Sequence, residues 1–129
     1  MAGILVVAHN ALGESLVDCV AHVLGNVPDN IRVLSVYAED DPEKKLAEGH
    51  EFIRQLDKGN GVLILADIFG ATPSNVARQL CHKEHIIGVA GVNLPMLLRA
   101  VCHPDKTMPE LAQIALDGGR ECIVMMSDE

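Results

Sequence analysis

The sequence predicts a doubly wound α/β fold, a mostly parallel sheet with helices on both faces. Three observations carry this. Short unbroken apolar runs recur along the chain, segments of helical period separate them, and cap residues or glycines punctuate the joints. The runs at 4–8, 62–66 and 86–90 show no polar alternation, as strands buried on both faces of a parallel sheet require. After the first run, Leu12, Leu16, Cys19, Val20 and Val23 follow an i, i+4, i+7, i+8, i+11 stripe, and Gly25 stops that helix. A second, less clean strand is expected at 33–37. Asp41-Pro42 then places an acceptor at an N-cap and proline at the first helical position. Leu46, Ile53 and Leu56 mark the inner face of that helix, Glu43, Glu48 and Glu51 its outer face, and Gly59 its end.

After the third strand, Thr72-Pro73 repeats the cap arrangement ahead of Val76, Ala77, Leu80 and Cys81. Leu97, Leu98 and Val101 mark a fourth helix beyond the strand at 86–90. Thr107 and Glu110 have capping-box spacing before a fifth helix with Leu111, Ile114 and Ala115 inward, and Gly118-Gly119 is expected to end it. A final apolar run at 123–126 is read as a strand. Two consecutive helices precede it, so it is expected at an edge of the sheet, running differently from the rest.

The 129 residues fit one domain, 1–129, long enough for a core without staples. Hydrophobic residues are 49%, yet only Tyr37, Phe52 and Phe69 are aromatic, so the core is aliphatic. Ten Lys plus Arg against eighteen Asp plus Glu leave a net charge of −8, which offers no footprint for nucleic acid or an anionic membrane. No apolar run approaches the ~18–20 residues of a membrane span, and the first residues lack the basic region of a signal peptide. Cys19, Cys81, Cys102 and Cys122 form no CxxC and read as reduced, mostly buried thiols of a cytoplasmic protein. Met108, Met125 and Met126 read as packing residues.

Ligands of open α/β sheets bind beyond the carboxyl ends of the strands. There the sequence places His9, Asn10 and Gly13 after the first strand. Asp67-Ile68-Phe69-Gly70-Ala71-Thr72-Pro73-Ser74-Asn75 follows the third, and Gly91-Val92-Asn93-Leu94-Pro95-Met96 the fourth. A lone strand-end histidine is most often structural. An aspartate at the equivalent point of another strand gives a different reading: a carboxylate accepting from one ring nitrogen leaves the other as a nucleophile. The segment 70–75 reads as a capped helix start whose amides, with the Thr72 and Ser74 hydroxyls, form an anion cradle. Neither GxxxxGK[ST] nor GxGxxG is present, and a flavin site would want aromatic stackers, so no cofactor is called for. Cys81, His82 and His85 fall short of the four ligands of a zinc site, and no metal is expected.

These residues resemble the mannose-family enzyme IIA domain of the bacterial phosphoenolpyruvate:sugar phosphotransferase system. The opening Ile4-Leu5-Val6-Val7-Ala8-His9 with Leu12 and Leu16, the segment 67–75, which is similar to D-x-[FW]-G-G-[ST]-P-x-N, and the segment 91–97, which is similar to G-x-N-[LI]-P-M, share the family's order and spacing. The resemblance implies that His9 is phosphorylated, that Asp67 orients it, and that Thr72 donates a hydroxyl to the phosphoryl group. Gly70, Ala71, Ser74, Asn10, Phe69, Asn93 and Met96 would surround the site, with Phe69 or Met96 as apolar contacts for a partner. It further implies a cytoplasmic homodimer with an antiparallel last strand exchanged or packed at the subunit interface. The donor would be the histidine phosphocarrier protein and the acceptor a sugar-specific IIB domain. Asn10 and Ala71 depart from the family's usual glycines. A phosphorylation-dependent regulator using the same histidine, and the phosphotransfer subunit of dihydroxyacetone kinase, are the alternatives. The segments after Asp67 and at 91–96 argue against the second.

Overall fold

The computed structural model describes the chain except His82, Glu84, Asp128 and Glu129. Strands and helices alternate as β1 (Gly3–His9), α1 (Leu12–Leu24), β2 (Ile31–Val36), α2 (Pro42–Leu56), β3 (Val62–Ala66), α3 (Thr72–Leu80) and β4 (Ile86–Ala90). Two helices follow, α4 (Leu94–Val101) and α5 (Met108–Glu121). The strands form one sheet in the order β2-β1-β3-β4, every pair parallel.

The apolar runs are unbroken because both faces of the central strands are covered. Ile4, Val6 and Ala8 of β1 point into a cluster with α1, α4 and α5. Leu5 and Val7 point into a second cluster with α2 and α3. The caps at two joints follow their chemistry: the Asp41 carboxylate accepts from the Glu43 amide at 3.0 Å, and Thr107 Oγ1 accepts from the Glu110 amide at 3.4 Å while donating to Glu110 Oε1 at 2.7 Å, half of the expected capping box.

Several expectations are corrected. β2 begins at Ile31, which pairs with Ile4, and Tyr37 lies beyond it. Helix α1 is rolled: it buries Gly13 and Val20 and leaves Leu12, Cys19 and Val23 exposed. A Cβ on Gly13 would sit 2.7 Å from Val33 Cγ1, so the absent side chain lets the helix settle on this line instead of the apolar stripe. Helix α5 runs through Gly118-Gly119 to Glu121. There the glycines let two helices approach, since Cβ atoms on them would meet Arg99 Cγ at 2.5 Å and Met96 Cε at 2.8 Å. Cys19, Cys102 and Cys122 are exposed and only Cys81 is half-buried, so most of the thiols are not core.

The C-terminal strand is the largest difference. Residues 123–127 form no strand, the described sheet has no antiparallel edge, and its two edge strands are β2 and β4. Ile123, Val124, Met125 and Met126 are 74, 72, 96 and 94% exposed, so neither methionine packs. An apolar run becomes a strand only where a ladder partner pairs its amides and carbonyls, and none of the described residues pairs with this run.

Candidate functional site

The strand order places the crevice of the sheet between β1 and β3, where the chain's winding reverses. Val7 pairs with Ala66, so the next residues out, ending at His9 and Asp67, emerge side by side. The Asp67 amide donates to the Val7 carbonyl, which extends the ladder one step past β3.

One carboxylate oxygen organises His9. Asp67 Oδ2 accepts from the His9 amide at 2.9 Å and lies 2.7 Å from His9 Nδ1, while Oδ1 accepts from the Ile68 amide at 2.8 Å. Burial alone would raise the Asp67 carboxyl. The hydrogen bonds from the His9 amide, the His9 ring and the Ile68 amide outweigh it and hold the group below the ordinary carboxylate range. An ionised carboxylate only accepts, so Nδ1 carries a proton, and in the neutral ring the lone pair is then on Nε2. The His9 side chain is 46% exposed and that of Asp67 7%, so the orienting group is sheltered and the ring faces solvent. The arrangement can act as a nucleophile or base through Nε2.

Asn10 turns the chain away from β1 with φ 51°, and its amide donates to the Val36 carbonyl at 3.0 Å. Asparagine tolerates this left-handed backbone better than most side-chain-bearing residues, so it stands in for glycine here. Ala71 is extended, with φ −106° and ψ 174°, a conformation open to any residue. Its methyl adds no backbone strain.

The segment 70–75 enters α3. Gly70 has φ 88°, Ala71 is the N-cap residue, and Thr72 is exposed at the helix start. Ser74 is not available as a ligand donor. It is 8% exposed, and its hydroxyl accepts from the Gly70 amide and donates its one proton to the Ala71 carbonyl, both at 2.9 Å.

Asn93 and Met96 also serve the fold. Asn93 caps α4 through the Met96 amide at 2.9 Å and reaches the Gly119 carbonyl of α5 at 3.1 Å. Met96 is 3% exposed in the core, so it offers no surface to a partner; Phe69, 66% exposed, does.

Leu12, Tyr37 and Ile68 were missed as rim residues. They are 45, 43 and 57% exposed on the segments that follow β1, β2 and β3. The signal was large apolar residues placed just after strand ends, where a buried role has no layer to enter. The cluster of Cys81, His82 and His85 dissolves where it is described. Cys81 Sγ donates to the Ala77 carbonyl at 3.3 Å, and His85 Nε2 lies 2.9 Å from Asp57 Oδ2. His82 lies outside the described residues.

The family model EIIA-man, described as the PTS system fructose IIA component, matches residues 3–115. The chain is 31% identical over 121 residues to the PTS system mannose-specific EIIAB component of Escherichia coli strain K12. That match covers 92% of this chain and 37% of the relative, so the chain spans well under half of that protein's length. The mannose/sorbose specific IIA subunit from Enterococcus faecalis superposes with a TM-score of 0.86 at 24% identity, covering 98% of this chain and 95% of that one. The EIIA component from Streptococcus agalactiae superposes with a TM-score of 0.84 at 22% identity, covering 97% of each chain. These two likenesses speak to the fold. With the family model spanning most of its length and that relative aligned over nearly all of it, the chain belongs to the PTS system fructose IIA component family.

Proposed function

We propose that this chain is a phosphoryl-group carrier in which His9 takes a phosphoryl group from a histidine phosphocarrier protein and passes it to a sugar-specific IIB domain. The observation that carries the reading is the 2.7 Å approach of Asp67 Oδ2 to His9 Nδ1, which leaves Nε2 as an exposed nucleophile. The Nε2 lone pair attacks phosphorus, the donor's P–N bond breaks, and its electron pair returns to the donor imidazole. His9 becomes a cation whose Nδ1–H stays on Asp67, and the carboxylate balances that charge. One P–N bond replaces another, so positioning and charge stabilisation are the whole task. The start of α3, with the exposed Thr72, supplies donors and the positive helix end for the phosphoryl oxygens, while the Gly70 amide is held by Ser74. Phe69, with Leu12, Tyr37 and Ile68, forms the apolar contact for the partner's approach.

The test is intact mass after incubation with phosphoenolpyruvate, enzyme I and the phosphocarrier protein. One acid-labile phosphoryl group on the wild type and none on His9→Ala is the expected outcome. Labelling that survives His9→Ala would overturn the assignment.

In this reading the chain works in the cytoplasm as a homodimer, in which a second copy covers the exposed run at 123–126. No helix among the described residues is long and apolar enough to cross a membrane. Met125→Asp with Met126→Asp should shift sedimentation toward the monomer; an unchanged profile would remove the run from the interface.

A further inference from the structure

We infer that Ser74 is a positioning residue of the phosphoryl site, acting through the Ala71–Thr72 peptide and touching no reactant itself. The inference rests on the carrier reading above. Ser74 is the buried polar side chain of the described molecule, 8% exposed, and both its hydrogen-bonding directions are spent on the loop before α3. Its Oγ accepts from the Gly70 amide and donates to the Ala71 carbonyl, each at 2.9 Å. The Ala71 carbonyl receives a second donor, the Asn75 amide at 3.0 Å. Two donors thus draw this carbonyl toward the helix.

No peptide bond in the described chain is cis. In a planar trans peptide the N–H points opposite to the C=O. Drawing the Ala71 carbonyl inward therefore turns the Thr72 amide outward, off the end of α3. The same bridge holds Gly70 at φ 88°, the turn that brings the chain from Asp67 to the helix. Deleting the hydroxyl frees this turn and leaves the Gly70 amide and the Ala71 carbonyl less satisfied. The donor that should meet a phosphoryl group on His9 then loses its fixed direction. Such preorganisation matters most where charge changes hands.

The test uses the full chain as wild type, Ser74→Ala, Ser74→Thr, Thr72→Val and the Ser74→Ala/Thr72→Val double variant. Two quantities are read: kcat and KM for transfer from the phosphocarrier protein, and the hydrolysis rate of the isolated phosphohistidine form. Ser74→Ala should lower kcat about tenfold at unchanged KM and speed hydrolysis several-fold, about the effect of one lost directed hydrogen bond. Ser74→Thr, which keeps Oγ, should restore both. Thr72→Val keeps the Thr72 backbone amide through which Ser74 acts, so in the double variant the two losses should add. If Ser74→Ala fails to fold, Ser74→Cys takes its place, since it keeps the volume and weakens both hydrogen bonds.

Values of kcat and hydrolysis within about twofold of wild type in a folded Ser74 variant would overturn the inference, whatever its melting temperature. So would a double variant no worse than Thr72→Val alone, which would route Ser74 through the Thr72 hydroxyl instead of the amide. A wild type that takes no label overturns the carrier reading itself, a result distinct from a labelled wild type with an indifferent Ser74 variant.

Discussion

Among the described residues, two histidine–aspartate pairs lie at opposite ends of one sheet, and their difference shows what makes such a pair a site. At the carboxyl edge, Asp67 meets His9 at Nδ1, 2.7 Å away. At the amino edge, Asp57 meets His85 at Nε2, 2.9 Å away. The rings are almost equally exposed, 46% and 48%, so exposure does not separate them. In both aspartates burial pushes the carboxyl up; the Gly59 and Gly61 amides, and after them His85, bring Asp57 below its ordinary range, whereas the His9 amide and ring with the Ile68 amide do so for Asp67.

Two things do differ. Asp67 takes the ring nitrogen nearest the main chain and leaves the remote one bare, whereas Asp57 occupies the remote nitrogen and leaves the crowded one. The surroundings also have opposite polarity. Parallel strands put helix starts at the carboxyl edge and helix ends at the amino edge. An anion on His9 would meet the positive end of α3, and one near His85 would meet the carbonyl end of α2, which closes at Leu56 beside Asp57. Asp57 instead clamps its own loop, accepting from the Gly59 and Gly61 amides at 2.9 and 3.1 Å.

Loading should divide the pairs most sharply. His9→Ala loses the label completely, while His85→Ala keeps loading within about twofold and melts about 3 °C lower by calorimetry. Equal loading of the two variants would erase the distinction. Next in size, Asp67→Asn should slow phosphoryl transfer about a hundredfold in rapid-quench experiments, because the imidazolium loses its counter-charge. Asp57→Asn should leave that rate unchanged and lower only the melting temperature.

Acid should act alike on both pairs. Each aspartate has its folded value lowered from 3.8, so the stability it gives is complete above that value and is lost as pH falls through the lowered one. The melting gap between wild type and Asp57→Asn, followed by calorimetry against pH, should hold down to about pH 4 and close below it. The smallest effect is expected at the turn. Asn10→Gly should be close to neutral in urea denaturation and Asn10→Val should cost about 1–2 kcal/mol, since only the second forces a β-branched residue to φ 51°.

Much of this was legible in the sequence because it is local. Three of the four strands, β1, β3 and β4, carry unbroken apolar runs, while Arg32 and Ser35 interrupt β2, and Asp41 and Thr107 announce their helices by cap chemistry. His9 and Asp67 stood out by their place after strands, but the adjacency of β1 and β3 is a long-range fact that no run of residues states. The misreadings share a physical cause. Glycine at 13 lets α1 roll away from its apolar stripe, and the glycines at 118 and 119 admit α4 where a helix stop was expected. Met96 sits in a segment with the look of a binding motif, yet it fills the space those glycines leave. The run at 123–126 has strand composition without a ladder partner.

The single oxygen Asp67 Oδ2 holds both the ring and the main chain of His9. A histidine fastened twice cannot swing between two delivery points. In the proposed carrier, donor and acceptor would therefore approach along one line and use the same face in turn. Traffic would then be a queue at one gate: either partner in its spent form would block the other, and an excess of either would slow the flow.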